Sequence, residues 1–360
     1  MKGTSQQHRT QKDAHCKKLC VTVFVSVLAM VAGSGCEEEM AATQQGAVSV
    51  PKPAEVNDIR AQAVQIVQDS LSDANPMLRV NAIEVVAETG QARQMPKVQR
   101  LLNDPIVPVR FAGTLAIGDT EYSLAESSVQ QLLRDANPNV RTAASYAMAK
   151  LGHAEYSEVL LKALTSKDQT VRANAALLLG KAGNRAAVKQ LYWALTDKAS
   201  DDKVVYQAAE SIARLGDEWI YPKLWAMLIS AYADVRVIGI RAMGELGTRD
   251  AKSALVTMLE DQIPQVRLAA AGQLGRLGDQ AGEKQVLDAL GPDATVKADE
   301  REREQVNVLA ALAIGQIGTP ALAEHLPQLL ADQSKFVRLA AAKSVLMRRG
   351  NKAQPGGPGR

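Results

Sequence analysis

Cysteine is almost missing. The chain has three, Cys16, Cys20 and Cys36, so everything beyond residue 36 folds without a disulfide and offers no thiol nucleophile. Aromatic residues make up 4% of the sequence against 46% hydrophobic overall, which implies a core built from Ala, Leu and Val. Histidine occurs four times, as His8, His15, His153 and His325. No two of them stand at the helical spacing a metal site needs, and no His-Glu motif occurs. A glycine-rich phosphate loop and a Gly-x-Ser-x-Gly elbow are both absent. These absences set the expectation of a protein that is not an enzyme, with no catalytic residues, no metal and no cofactor.

An excess of charge of one sign is lacking too, once the first 35 residues are set aside. The formal charge is +3, from 42 bases and 39 acids. Residues 1–35 contain Lys2, Arg9, Lys12, Lys17 and Lys18 against Asp13, so removing them leaves 37 bases and 38 acids. A near-neutral remainder has no electrostatic footprint for nucleic acid, which is therefore not expected as a partner. The one long apolar run is Leu19 to Ala32. It follows a basic region and is shorter than the roughly 20 residues that span a bilayer, so residues 1–35 are expected to be an export signal.

What the sequence has is a repeat. Asp135-Ala-Asn-Pro-Asn-Val-Arg141 and the apolar run after it recur with an arginine column at Arg79, Arg110, Arg141, Arg172, Val205, Arg236, Arg267, Asn307 and Arg338. The intervals are 31, 31, 31, 33, 31, 31, 40 and 31 residues, a period that marks a stacked array. Columns that did not define the register obey it. Three residues on stand Ala82, Gly113, Ala144, Ala175, Ala208, Gly239, Ala270, Ala310 and Ala341, all small; seven on, every residue from Val86 to Val345 is apolar. Upstream, Leu71, Leu102, Leu133 and their equivalents follow Val67, Val98 and Val129 by four residues, one helical face. Each unit therefore reads as two amphipathic helices, A then B. Asn75-Pro76 and Asn137-Pro138 have the form of an N-cap followed by proline at the first helical position. Gly90, Gly152, Gly183, Gly216, Gly247, Gly278 and Gly318 stand where a left-handed residue ends helix B.

The motif of Asp, often Pro, Val-Arg and an Ala-rich helix closing in Leu-Gly resembles the HEAT repeat family, in its short bacterial subclass of about thirty residues. The resemblance covers about 58–350 and implies an all-α solenoid, a superhelix of about nine two-helix repeats. It further implies a ladder between repeats, in which Asp73, Asp104, Asp135, Asp261 and Asp332 pair with Arg79, Arg110, Arg141, Arg172, Arg236, Arg267 and Arg338 of their own or adjacent copies. Val205 and Asn307 break that ladder. Gly33-Ser34-Gly35 before Cys36 is similar to the lipobox of bacterial lipoproteins, which implies acylation at Cys36 and an envelope protein anchored in a membrane. Residues 36–57 would be a flexible tether and 351–360 a disordered tail. The resemblance implies a protein-binding scaffold. The alternative within the same subclass is a lyase, or lyase accessory subunit, acting on a chromophore-carrying protein.

Three places are candidates for recognition of a protein partner. Tyr192, Trp193, Tyr206, Trp219, Tyr221, Trp225 and Tyr232 hold every Trp of the chain. Trp193 occupies a column that is polar in other copies, and Tyr192 and Trp225 share the column beside it. This is either an exposed hot spot or a patch over an irregular fifth copy. Nine residues after the arginine column, Lys150, Lys181, Arg214 and Arg276 surround Glu245 as a partial basic stripe on helix B, which either receives an acidic partner or is a solvated helix face. The insertion at about 291–305 is expected to lengthen helix B of the eighth copy and project from one rim.

Overall fold

A computed structural model describes residues 56–291 and 299–348. The leader, Cys36, most of the tether, the core of the eighth-copy insertion and the tail lie outside the described residues. The described chain is a succession of helix pairs. In order these are α1 (Val56–Ser70) and α2 (Pro76–Glu88), α3 (Met95–Arg100) and α4 (Val107–Asp119), α5 (Glu126–Leu132) and α6 (Pro138–Lys150). Then come α7 (Tyr156–Ala163) and α8 (Gln169–Lys181), α9 (Val188–Thr196) and α10 (Asp202–Arg214), α11 (Tyr221–Leu228) and α12 (Ala233–Leu246). The last three pairs are α13 (Arg249–Thr257) with α14 (Pro264–Arg276), α15 (Glu283–Leu290) with α16 (Glu300–Ile317), and α17 (Pro320–Ala323) and α18 (Leu326–Leu330) with α19 (Lys335–Met347). In the ninth pair, then, the A position is split in two.

Local chemistry sets the boundaries. The Asn75 side chain accepts from the Met77 amide at 2.9 Å and Asn137 from the Asn139 amide at 2.9 Å, each with Pro next in line where its missing N–H costs nothing. All seven helix-ending glycines of the sequence reading have positive φ, from 64° to 108°. A Cβ there would be strained, so glycine stops the helix and turns the chain toward the next A helix. Every member of the small column is buried, because neighbouring backbones come close. At Gly239 an added Cβ would stand 2.9 Å from Met227 Cβ of the preceding helix. The apolar column seven residues after the arginines is buried throughout, from Val86 to Val345. The eighth-copy B helix, α16, is longer than its 13-residue neighbours at 18 residues, and Asp299 caps it by accepting from the Glu302 amide at 2.7 Å.

Successive B helices pack side by side from α2 to α19, with the A helices outside them. The array then closes on itself. Helix α19 packs against α1 and also touches α2. Lys335 Nζ reaches Asp73 at 2.7 Å, and Lys343 Nζ reaches Glu88 at 2.8 Å and Glu84 at 3.6 Å. Arg60 donates to the Arg348 carbonyl at 3.5 Å. The solenoid is thus a ring with the B helices on the inside, and its concave surface is a central cavity of 770 Å³.

Candidate functional site

The arginine column works as a set of staples between repeats. Arg79 Nε and Nη2 lie 2.9 and 3.0 Å from the Asp104 carboxylate of the next repeat, while Nη1 donates to the carbonyls of Asp73 and Ala74. Arg110 repeats this on Asp135, and Arg236 on Asp261. Arg172 binds Asp197 at 2.9 Å, a carboxylate the sequence reading passed over because it lies ahead of an irregular turn. The fixed separation of 25 residues between arginine and aspartate was the signal that could have found it. Arg141, Arg267 and Arg338 are bonded to the carbonyls of their own turns. Asn307 reaches Asp332 only at 3.5 Å, and Asp73, first in the chain, takes Lys335 of the last repeat in place of an arginine. Burial works against the Asp135 carboxylate, but Arg110 and the Asn137 amide outweigh it and hold the group below its ordinary range.

The basic stripe is corrected by its neighbours. Lys150 pairs with Glu121 at 2.9 Å, Lys181 with Asp119 at 3.0 Å, and Arg214 with Glu245 and Glu210 at 3.0 and 3.3 Å. Arg276 also binds Glu245, at 3.3 Å. The same column holds Glu88 and Asp119 in the first two copies; Asp119 meets Lys181 of the stripe, whereas Glu88 meets Lys343 where the ring closes. What results is a belt of paired charge, in which each of the four bases of the stripe meets a carboxylate. Tyr146 is buried in this belt and donates to Asp119 at 2.6 Å; burial, and then the Asp119 carboxylate, push its hydroxyl pKa up.

A second cluster of charge, absent from the sequence reading, lies where the ring closes. Glu84 and Glu88 of α2 share Lys343 of α19. Burial, reinforced by Glu88, pushes the Glu84 carboxyl up to about 8 despite Lys343. Glu88 is brought below its usual range, since Lys343 overcomes its burial. Lys343 itself is raised, its two carboxylates outweighing the desolvation. The proton of the cluster therefore sits on Glu84, and Glu88 with Lys343 forms the ion pair. Nothing local in the sequence joins residues so far apart.

On the outside, the tryptophans stand in the A layer of the fifth and sixth repeats, while Tyr206 lies half-buried on the B helix α10 and Tyr232 stands at the start of α12. Trp193 of α9 and Trp225 of α11 are 45% and 41% exposed, Tyr232 is 53% exposed, and Trp219, in the turn before α11, is 89% exposed. Trp193 is held in place, its ring 5.2 Å from the Arg172 guanidinium carbon. Tyr192 is half-buried and donates to Asp217 at 3.4 Å; burial and that carboxylate push its hydroxyl up to about 12. Asp217 also fixes the turn by accepting from the Trp219 amide at 3.0 Å. Beside Trp219 runs an open groove of 890 Å³, with Leu215, Tyr221 and Leu246 on its walls and Arg185 and Asp250 at its edges. Trp219 was part of the sequence cluster, but it sits outside the helical register, so no column could mark it as exposed.

A closed two-layer ring of helical repeats, with a charged interior and an aromatic outer face, defines the class: an all-α solenoid. The sequence matches HEAT repeats over residues 98–168, 157–236 and 221–299, together 98–299, or 202 of 360 residues. The chain belongs to the HEAT repeat family. No curated protein matches it in sequence. Among solved structures it is similar to human deoxyhypusine hydroxylase in complex with glycerol, at 19% identity and a TM-score of 0.35, covering 73% of this chain and 98% of that one. It is also similar to the complex of CpcE and CpcF of phycocyanin lyase from Nostoc, at 19% identity and a TM-score of 0.38, covering 70% of this chain and 94% of that one.

Proposed function

We propose that this protein is an exported scaffold, tethered to a membrane of the cell envelope through a lipid on Cys36, that docks another protein on the outer face of its fifth and sixth repeats. The observation that carries the reading is the exposure of Trp193, Trp219, Trp225 and Tyr232 in one stretch of an otherwise aromatic-poor chain. Burying large aromatics that a partner can cover is the commonest source of interface energy. Ring closure supports the same side: a cavity of 770 Å³ has no room for a folded domain, so a protein partner is left with the outer face and the rims. Membrane tethering rests on the sequence alone, from the basic leader, the apolar run and Gly33-Ser34-Gly35-Cys36. No helix among the described residues is long and apolar enough to cross a bilayer.

The test combines two variants. In cells, the protein is cross-linked and captured as wild type and as Trp193→Ala/Trp219→Ala/Trp225→Ala. Envelope proteins captured by the wild type and lost from the variant are expected. Capture unchanged by the triple substitution would remove the outer face as the docking site. Separately, Cys36→Ser should abolish labelling by a radioactive fatty acid and release the protein from the membrane fraction; retention of both would end the lipid-anchor reading.

A further inference from the structure

The groove beside Trp219 has a chemistry that exposed aromatic residues alone do not account for. It crosses the turns that lead into α9, α11 and α13, so it lies on the end of the ring where the B helices finish. Its walls are apolar: Leu215 and Leu246 close α10 and α12 and are buried, and Tyr221 is half-buried beside them. Trp219 lines the same groove at 89% exposure, further out than any other large apolar side chain among the described residues. Its backbone is pinned, because Asp217 accepts from the Trp219 amide at 3.0 Å. A fixed turn therefore presents a ring that contributes little to the core.

The charged residues of the lining are three acids, Asp217, Glu218 and Asp250, and one base, Arg185. Arg185 lies over Gly216 at one end, its Nη2 3.0 Å from where a Cβ would stand. No lysine or arginine among the described residues pairs with any of the three carboxylates. Lys189, Lys223 and Arg249 are exposed close by in the chain but do not line the groove. The lining thus carries a surplus of negative charge. An apolar partner surface would strip water from these carboxylates without replacing it, and an acidic one would repel them. A cation suits both the carboxylates and the face of the indole.

We propose that this groove receives an extended, arginine-bearing segment of the partner protein, a reading that rests on docking at the fifth and sixth repeats. One guanidinium lies on the Trp219 ring beside Glu218, a second meets Asp250, and apolar side chains between them cover Leu215 and Leu246. Arginine suits the groove better than lysine, because its planar group both stacks on an indole and forks onto a carboxylate.

Fluorescence anisotropy of the full chain tests this, with a labelled Arg-Leu-Ser-Leu-Arg peptide as the probe and matched peptides carrying Lys, Gln or Glu in place of Arg. Saturable binding of the arginine peptide is expected, weakening as salt is raised. The glutamine peptide should bind about tenfold more weakly, the lysine peptide between the two, and the glutamate peptide not at all. Glu218→Gln/Asp250→Asn should weaken the arginine peptide by about tenfold, and so should Trp219→Ala. All three side chains are exposed, so the thermal transition should be kept. Leu124→Ala, at a 75% exposed position in the turn before α5 and outside the groove, should change nothing. Equal binding of the arginine and glutamine peptides, preference for the glutamate peptide, or binding indifferent to Glu218→Gln/Asp250→Asn or to Trp219→Ala would each overturn the proposal. So would self-association of the chain that is lost in Trp219→Ala, or no saturable binding of the arginine peptide. The two readings fail separately. Cellular capture that depends on the three tryptophans, without peptide binding, would end the groove reading alone; peptide binding at the groove, with capture indifferent to the tryptophans, would end outer-face docking.

Discussion

Two kinds of junction hold this ring, and they solve the same problem differently. Between α4 and α6 the joint is repetitive: B helices lie side by side, Gly118 lets the backbones approach, and Arg110 reaches over to Asp135. An added Cβ at Gly118 would stand 2.8 Å from the Tyr146 ring. At the seam α19 leans mostly on α1, and the ion pairs are made by lysines, Lys335 to Asp73 and Lys343 to Glu84 and Glu88. The repetitive joint spans 25 residues of chain and forms with its own neighbours. The seam bond Lys335–Asp73 spans 262 residues and requires every repeat between them to be in place. Local joints give a solenoid its strength, whereas the seam decides whether the solenoid is a ring.

The comparison breaks most visibly at Lys343. It is buried, and its removal leaves the Glu88 carboxylate without its cation and Glu84 without its partner. Loss of one partner from a buried ion cluster costs about 3–5 kcal/mol. Lys343→Ala is therefore expected to lower the melting temperature and open the ring, read as a larger radius of gyration in solution scattering. The triple variant Lys343→Met/Glu84→Gln/Glu88→Gln, which removes all the charges together, should recover most of the loss. A ring that stays closed at full stability in Lys343→Ala would refute the role given to the cluster.

Arg110→Ala probes the repetitive joint and ranks next. It removes a bidentate bond to Asp135 and two carbonyl bonds, with Arg110 and Asp135 side chains 15% and 8% exposed. A loss of about 2–3 kcal/mol is expected, because Asp135 is left desolvated without its cation. Arg141→Ala removes carbonyl bonds alone and should cost about 1 kcal/mol. Scattering should show neither change opening the ring. Equal losses at the two positions would mean that the carboxylate adds nothing to the joint.

Proton linkage separates the junctions by pH. Glu84 has its carboxyl raised from 4.5 to about 8 in the folded ring. Between those values the folded protein holds a proton that the unfolded chain has released, so stability falls as pH rises across that window. The groups facing Glu84 are Glu88, Lys343 and Lys181, and Lys343, itself raised, stays charged across this window. Thermal melts from pH 5 to pH 9 should decline by several degrees in the wild type and less steeply in Glu84→Gln. The Arg110–Asp135 joint works the other way: Asp135 is held low, so its contribution is present above the ordinary aspartate pKa and is lost only as pH falls below it. A wild-type slope unchanged in Glu84→Gln would place the proton elsewhere.

How far the sequence reached follows from the same distinction. The period, the pairing of A with B, the buried columns and the seven helix-ending glycines are properties of one repeat and its neighbour, and each was legible because it recurs. The exposure of Trp193 was legible for the same reason, as an aromatic residue in a polar column. Trp219 was not, since a turn has no register. The bases Lys150, Lys181, Arg214 and Arg276 were found at their column, but their neutralisation was not, because Glu121 and Glu210 lie off that column and Asp119 comes from two repeats away. Lys181 meets Asp119 two repeats back, and Lys343 meets Glu84 and Glu88 across the whole chain. A periodic pattern fixes the contacts of adjacent units, while curvature, and with it closure, sums small rotations that no single column encodes.

The smallest expected effect is a gain, at a joint that lacks its carboxylate. Arg141 holds the carbonyls of Asp135 and Ala136 with Nη1, just as Arg79 and Arg110 hold theirs. Twenty-five residues on, where those two find Asp104 and Asp135, Arg141 finds Ser166. The serine already does half of the aspartate's work. Its hydroxyl accepts from the Asp168 amide at 3.1 Å, as Asp104 accepts from the Ile106 amide at 2.9 Å and Asp135 from the Asn137 amide at 2.8 Å. Ser166→Asp would keep that turn and present its second oxygen to Nε and Nη2 of Arg141. The site is more exposed than its neighbours, so the gain should be about 0.5–1 kcal/mol, a rise of about 1–2 °C for an array of this size. Arg141→Ala in the Ser166→Asp background closes the cycle. The coupling between the two changes should match the gain, and zero coupling would mean that the 25-residue spacing, by itself, does not make a joint.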